Sequence, residues 1–572
     1  VNGVELERLR QLQVIGAFDA GWARLLNRQA GPEGAPGDLP VAAALLTALR
    51  RRGHTCLDLR RTAAEVLCEE FGIAPREAAD FSKDWTIPER WLPILGRPGE
   101  VAPLIRDGPR LFLQRLWAAQ EEVALALLSR AAIPPRNLTP EWARAIHAGW
   151  AKPEEEQQRS AAISAATCGL TIVTGGPGTG KTSCVVRALA VGMAYEAMRV
   201  AAAAPTGKAV ARLKDAWRRA GGPDDGRMVA ATLHRLLGLP RMGRERWREP
   251  LLPWDVVVVD EMSMVDLELM AELTRRLEPS TRLVLVGDPD QLASVEPGGI
   301  FREICDGFGG GEKSPRIQLT HAFRFAGGGG IGRLAAAIRE GDVTAVLEVL
   351  EEGGGGAIVW RRLPPKNELG SRLRARVRSA WSGVWSAETA ETALAELQRF
   401  RVLTPHRIGP WGVDRMTEDL SGLLREGRGV PFIVVENDAA RGLYNGDGGV
   451  WWRSSEGEVA LVETGEGIRE VAPACLPAWE PAWALTVHKS QGSEYEEVLL
   501  VLPDRDSPIL TRELLYTGVT RARRRLEIWA EPDVLAATIR RPTIRAGGLD
   551  DRIRSRGPQR AACGSGSGPL SR

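Results

Sequence analysis

No two of the seven cysteines stand in a CxxC pair, so the chain lacks the spacing of a zinc site or an iron–sulfur cluster. An odd, scattered set of thiols suits a reducing compartment and predicts a cytoplasmic protein. No stretch is long and apolar enough to span a membrane. The first ten residues carry Glu5, Glu7, Arg8 and Arg10 and lack the apolar core of a secretion signal. An excess of one charge sign is missing too: 75 Lys and Arg stand against 73 Asp and Glu, a net +2. That excludes a protein that coats nucleic acid by its global field and confines any such contact to local grooves. Nothing reads as a carboxylate–lysine nuclease cluster. The first 150 residues hold only His54 and His147 as histidines and no tyrosine, which excludes a His-rich, Tyr-bearing nicking domain.

What is present is enough chain, 572 residues, for three or four domains. Residues 1–145 read as a helical domain, with helical patterns at 41–51 and 111–129, a Gly/Pro loop at 31–40 and a Pro-rich linker at 132–140. From residue 146 the pattern turns α/β. Short apolar runs at 170–174, 199–203, 256–259 and 283–286 alternate with helical stretches, as in a parallel sheet covered on both faces. A second series (401–404, 498–502, 526–529) predicts another such domain over 316–550, the first covering 146–315. Within the second domain a β-rich stretch at about 425–475 reads as a small antiparallel insertion, and residues 551–572 as a disordered basic tail. Trp142, Trp150, Trp381 and Trp385 read as core or interface, and Trp451-Trp452 as part of a strand core.

Gly175-Gly176-Pro177-Gly178-Thr179-Gly180-Lys181-Thr182 matches G-x-x-x-x-G-K-[ST] between an apolar strand and an apolar helix. The glycines let successive N–H groups face phosphate oxygens, and the helix that follows adds its positive end. Lys181 supplies charge for the β- and γ-phosphates, and the Thr182 hydroxyl can ligate Mg²⁺. ATP and Mg²⁺ are therefore the expected cofactors.

The run 256–259 ends in Asp260-Glu261, placed to hold Mg²⁺ through water and to orient and deprotonate an attacking water. The turn 287–292 offers Gln291 as a γ-phosphate sensor. Arg324 and Arg521, both in the second α/β half, are candidates to reach across and stabilise charge on the transferred group.

Together these segments resemble superfamily 1 DNA helicases. Gln158 stands where those helicases read adenine. Ala204-Pro205-Thr206-Gly207-Lys208 is similar to their motif Ia, and Ala231-Thr232-Leu233-His234 to a neighbouring DNA-contacting motif. Asp260-Glu261 resembles motif II, Gly287 to Gln291 motif III, Phe323-Arg324 motif IV, Thr486 to Glu494 motif V and Tyr516 to Arg521 motif VI. Within the superfamily the wording of 175–182, Asn445-Gly446-Asp447, 488–494 and 519–525 resembles the RecD subunits of exodeoxyribonuclease V (RecBCD), as does the stretch 45–59.

The resemblance implies two RecA-like motor domains and 5′-to-3′ translocation on single-stranded DNA. It implies unwinding of duplex DNA ends for recombinational repair, beside RecB- and RecC-type partners, with the nuclease in the RecB-type chain. The N-terminal domain would dock on the RecC-type subunit. Only about 145 residues precede the motor, which favours the complex-bound type over the longer stand-alone helicases. Glu494 is implied at the nucleotide. Pro205, Thr206, Gly207, Lys208, Thr232, His234, Thr486, His488, Lys489, Ser490 and Gln491 are implied along the DNA. His406, just after a strand, is a further candidate. Such polar loops bind backbone phosphates without reading sequence. A P-loop switch that moves nothing is the rival reading, and it would lack the second motor half.

Overall fold

The structure, a computed structural model, describes residues 2–31, 35, 37–81, 84–87, 93–239, 250–311, 314–323, 329–425, 428–438, 440–455 and 457–557. Four sheets organise these residues.

The first motor sheet has six parallel strands in the order Arg316–Leu319, Leu170–Gly175, Arg282–Gly287, Val256–Val259, Val200–Ala204, Met228–Thr232. Its central strands are apolar at successive positions because both faces are covered. Ile172, Val257, Val259, Leu283 and Leu285 face one layer, which includes helices Gln114–Ala131 and Leu267–Arg276. Val173, Val256, Val258, Val284 and Val286 face the other, formed by helices Glu156–Thr167, Lys181–Gly192 and Gly207–Arg219. Each such side chain stabilises the domain by about 1.5–3 kcal/mol through burial.

The second motor sheet has five parallel strands: Ile358–Arg361, Ala522–Trp529, Tyr495–Val501, Phe400–Thr404, Ala484–Thr486. It too alternates between two apolar layers, Leu403, Val498 and Leu500 on one side and Val402, Leu499 and Val501 on the other. From it projects an antiparallel five-stranded sheet ordered Gly467–Val471, Gly457–Thr464, Gly448–Ser454, Gly429–Val434, Trp479–Pro481.

Several expected boundaries move. Residues 1–145 are not wholly helical: Cys56–Asp58, Arg110–Leu113, Leu104–Asp107 and Leu95–Gly96 form a four-stranded sheet. These strands have two to four residues, too few for a period-2 pattern to emerge. Strand Arg316–Leu319 lies on the far side of the expected break at 315, yet it pairs with Leu170–Gly175 and completes the first sheet. The insertion runs on to Pro481. The tail expected to be disordered from Asp551 is helical over Leu549–Arg556, anchored by buried Leu549, Arg552 and Ile553. Residues 558–572 lie outside the described ones. Trp142, Trp150 and Trp381 are buried core residues, as is Trp452, while Trp385 and Trp451 pack half-buried beside them. No helix among the described residues is long and apolar enough to cross a membrane.

Candidate functional site

The loop 175–180 connects a buried strand to the helix Lys181–Gly192. Its tight path needs positive φ at Gly175 (157°), Gly178 (78°) and Gly180 (80°). A Cβ on Gly175 would lie 2.6 Å from the Leu319 carbonyl, so only glycine fits there. Thr179 Oγ1 closes the loop by donating to Gly176 O at 2.9 Å, and Gln158 Nε2 donates to Thr179 O at 2.8 Å. Gln158 thus braces the loop from the helix Glu156–Thr167. Lys181 Nζ turns back onto the carbonyls of Gly175 and Gly176. Pro177 and Thr182 line the same turn, half-buried.

Thr182 Oγ1 donates to Asp260 Oδ2 at 2.9 Å. These are hard oxygen donors beside a phosphate-type loop, the chemistry that suits Mg²⁺. Burial and the neighbouring Glu261 carboxylate push the Asp260 pKa up, while Arg212 and the Glu261 N–H oppose the rise. Glu261 itself is left-handed (φ 53°, ψ 43°), one of two such non-glycine residues described. That backbone costs about 1–3 kcal/mol and turns the carboxylate away from the strand direction. Its Oε1 meets Arg212 Nη2 at 2.9 Å.

The turn after the next strand joins the two motor domains. Gln291 Oε1 accepts from Arg521 Nη2 at 3.0 Å, and Asp288 Oδ2 accepts from the Tyr516 hydroxyl at 2.9 Å. Tyr516 lies within helix Arg512–Thr520 of the second domain, and Arg521 caps its C-terminal end. Arg521 is fully enclosed: Nε donates to Thr517 O and Nη1 to Ser493 O at 3.2 Å. Burial lowers its pKa, opposed by Glu261 and Glu494. Burial and the Asp288 charge raise the Tyr516 pKa well above 10. Arg324 lies outside the described residues; next to it, Phe323 N–H donates to Gly178 O at 3.0 Å, so this segment docks on the phosphate-type loop.

The positions expected along DNA divide. Thr206 caps helix Gly207–Arg219 through Ala209 N, and Thr232 caps Leu233–Leu236 through Arg235 N. With half-buried Pro205 and exposed His234, they sit at the C-terminal ends of neighbouring strands. Gly207 packs on the insertion: a Cβ there would be 3.2 Å from Asp447 Oδ1. Lys208 Nζ donates to Ser493 Oγ at 3.3 Å. Thr486 Oγ1 accepts from Lys489 N, and exposed Lys489 pairs with Glu480 at 3.3 Å. His488 and His406 both have lowered pKa values through burial, and His406 Nε2 contacts Ser507 Oγ at 3.1 Å.

Three positions sit otherwise than expected. Ser490 and Gln491 are buried; Ser490 Oγ donates to Val487 O and Gln491 Nε2 to Leu292 O, both at 2.7 Å. Gln491 thereby holds the domain interface while Ser490 braces its own loop, and neither side chain faces outward. Glu494, expected at the nucleotide, pairs with Arg523 at 3.0 Å and lies 3.8 Å from Arg212. Sequence reading missed Arg212 and Tyr516. The signal for Arg212 was its spacing, one turn after Lys208 and so on the same helix face.

Comparison with known proteins adds the following. The N-terminal domain model of the RecBCD enzyme subunit RecD matches residues 11–112, an AAA domain matches 154–357, and a UvrD-like helicase C-terminal domain matches 481–528. The chain is 38% identical to the RecBCD enzyme subunit RecD of Mycolicibacterium smegmatis, over 90% of this chain and 94% of that protein. It is 30% identical to the RecBCD enzyme subunit RecD of Haemophilus influenzae, over 95% and 98%. It is also similar, at 31% identity, to the ATP-dependent RecD2 DNA helicase of Deinococcus radiodurans, over 73% of this chain but 54% of that protein.

Proposed function

The chain belongs to the RecD family of RecBCD enzyme subunits, and on that premise we propose that it moves 5′ to 3′ along single-stranded DNA beside RecB- and RecC-type chains. Family membership makes it an ATP-dependent DNA helicase subunit. Its polarity, its freedom from nuclease chemistry, its cytoplasmic setting and the roles of individual residues are our reading. The observation that carries the motor mechanism is the pairing of Arg521 with Gln291 and Tyr516 with Asp288 across the two parallel sheets.

ATP seats on the loop 175–182, where backbone N–H groups and Lys181 meet its phosphates. Gln158, which braces the loop, would read the adenine. Thr182 and Asp260 fit Mg²⁺, which supplies charge neutralisation at the phosphates when bound. Glu261 orients and deprotonates the attacking water. Gln291 reports the γ-phosphate to Arg521, and Arg324 is the second cation offered to the transferred phosphoryl group. Domain closure follows when Arg521, already held by Gln291, Thr517 and Ser493, gains the γ-phosphate as a further acceptor. Glu494 belongs to the charge cluster that frames this interface.

DNA crosses the strand ends at Pro205, Thr206, Gly207, Lys208, Thr232 and His234 of the first domain. It continues over Thr486, His488, Lys489 and His406 of the second. If the domains grip alternately, each ATP cycle advances the protein. The N-terminal domain serves in partner docking, a reading that the match over 11–112 supports. The test is ATP hydrolysis with and without oligo(dT). The unmodified chain hydrolyses ATP faster with DNA, and Lys181→Ala abolishes that rate. Lys181→Ala with undiminished DNA-stimulated hydrolysis contradicts the proposal.

A further inference from the structure

Resting on that reading, we propose that Arg212 is a positioning residue that links the seating of the second motor domain to the carboxylate of Glu261. Arg212 lies on helix Gly207–Arg219 of the first domain. Its Nη2 donates to Glu261 Oε1 at 2.9 Å and to the Gly492 carbonyl at 2.7 Å. Its Nη1 lies 3.8 Å from Glu494 Oε1. One guanidinium thus spans both domains and ends on the residue that handles water.

The two ends of this bridge have different mobility. Glu261 follows a buried strand on a left-handed backbone, and its carboxylate accepts from Arg212. Arg212 is the cation that holds it. Gly492 sits where the 490–494 loop meets the first domain: Gln491 donates to Leu292 O, Ser493 Oγ accepts from Lys208, and Gly492 itself (φ 72°) passes against Thr206. A displacement of the second domain therefore carries the Gly492 carbonyl with it.

With Gly492 seated, the guanidinium is fixed at two points, and Glu261 with it. With Gly492 withdrawn, the guanidinium keeps a single acceptor and swings, and the carboxylate loses its aim. Planar, forked donors suit this task because they fix direction as well as charge. The arrangement makes water activation conditional on domain seating.

The test compares Arg212→Gln and Arg212→Lys in the full chain, with and without its partners, using oligo(dT). For Arg212→Gln the expected result is a drop in DNA-stimulated kcat of about 20-fold or more, with the KM for ATP and the oligo(dT) affinity within about 2-fold. Arg212→Lys recovers at least part of the lost kcat, since an ammonium keeps the charge. Arg212→Gln with stimulated kcat within 2-fold of the parent overturns the proposal. So does loss of kcat together with ATP or DNA binding, or with a melting point lowered by more than about 10 °C, because that marks a merely structural role. Failure of the underlying motor reading shows separately, as absence of DNA stimulation in the unmodified chain.

Discussion

The Tyr516 hydroxyl donates to Asp288 Oδ2 at 2.9 Å, and this bond ties the second motor domain to the turn that carries Gln291 in the first. Asp288 is buried, so its charge needs such donors. The same carboxylate accepts from Gln291 Nε2 and, through Oδ1, from Asp290 N. The pair thus joins the two motor domains at the turn that carries Gln291.

Tyr516→Phe removes that donor and keeps the ring. A hydrogen bond to a charged group contributes about 1.5–3 kcal/mol. If it is used in domain closure, DNA-stimulated kcat falls by about 10- to 100-fold while the melting point moves little. Steady-state ATPase and thermal unfolding on the same preparation check this. An unchanged kcat places the bond outside the cycle.

Arg521→Ala should be more severe. Arginines that stabilise charge on a transferred phosphoryl group contribute about 10³-fold or more to kcat. We expect a loss of about 10³-fold in kcat with ATP binding retained. Arg521→Lys should recover little of it, since the single ammonium cannot serve Gln291, Ser493 and Thr517 at once. Retained ATP binding can be read with a fluorescent nucleotide analogue.

Glu303 offers a pH test. Its Oε2 accepts from the N–H groups of Gly548 and Leu549, pinning the C-terminal helix to helix Ile300–Phe308. Burial, aided by the Asp550 charge, raises its pKa from 4.5 to about 7. The folded state therefore holds a proton that the unfolded chain has released between these values. That contribution to stability is present below pH 4.5 and is lost as pH rises through about 7. Glu303→Gln keeps an acceptor and removes the titration. Urea unfolding should show the parent losing about 1–3 kcal/mol relative to the variant across that window. Parallel pH profiles for the two proteins contradict the assignment.

Arg552 closes the C-terminal helix onto the N-terminal domain. It pairs with Asp107 at 2.8 Å and Glu121 at 3.0 Å, and lies over the rings of Phe112 and Trp117. Removing one partner of a buried ion pair costs about 3–5 kcal/mol. Arg552→Ala should destabilise the chain by about that amount, with the helix 549–556 becoming the first segment to lose hydrogen-exchange protection.

Much of the site was legible because its chemistry is local. The loop 175–182 needs glycine at fixed φ, and a run of four valines before Asp260-Glu261 can only be a buried strand. The two sheets were legible for the same reason. What escaped depended on long-range contact. Strand Arg316–Leu319 joins the first sheet only through Leu170–Gly175, at the opposite end of its domain in the sequence. Arg212 meets Gly492 across 280 positions, so no window on the sequence contains both. Ser490 and Gln491 look like surface polar residues until the Leu292 and Val487 carbonyls are in place. The helix Leu549–Arg556, rich in charge, reads as a tail because its anchors are Gln120, Glu121 and Glu303, far upstream.

The central claim is directional movement along one strand, and strand displacement tests it most directly. Duplexes with a 5′ or a 3′ single-stranded tail are offered to the full chain with ATP and Mg²⁺, alone and with its RecB- and RecC-type partners. The account predicts that this chain unwinds the 5′-tailed duplex, and that Lys181→Ala and Arg521→Ala do not. Unwinding of the 3′-tailed duplex alone, dependent on Lys181, would contradict it.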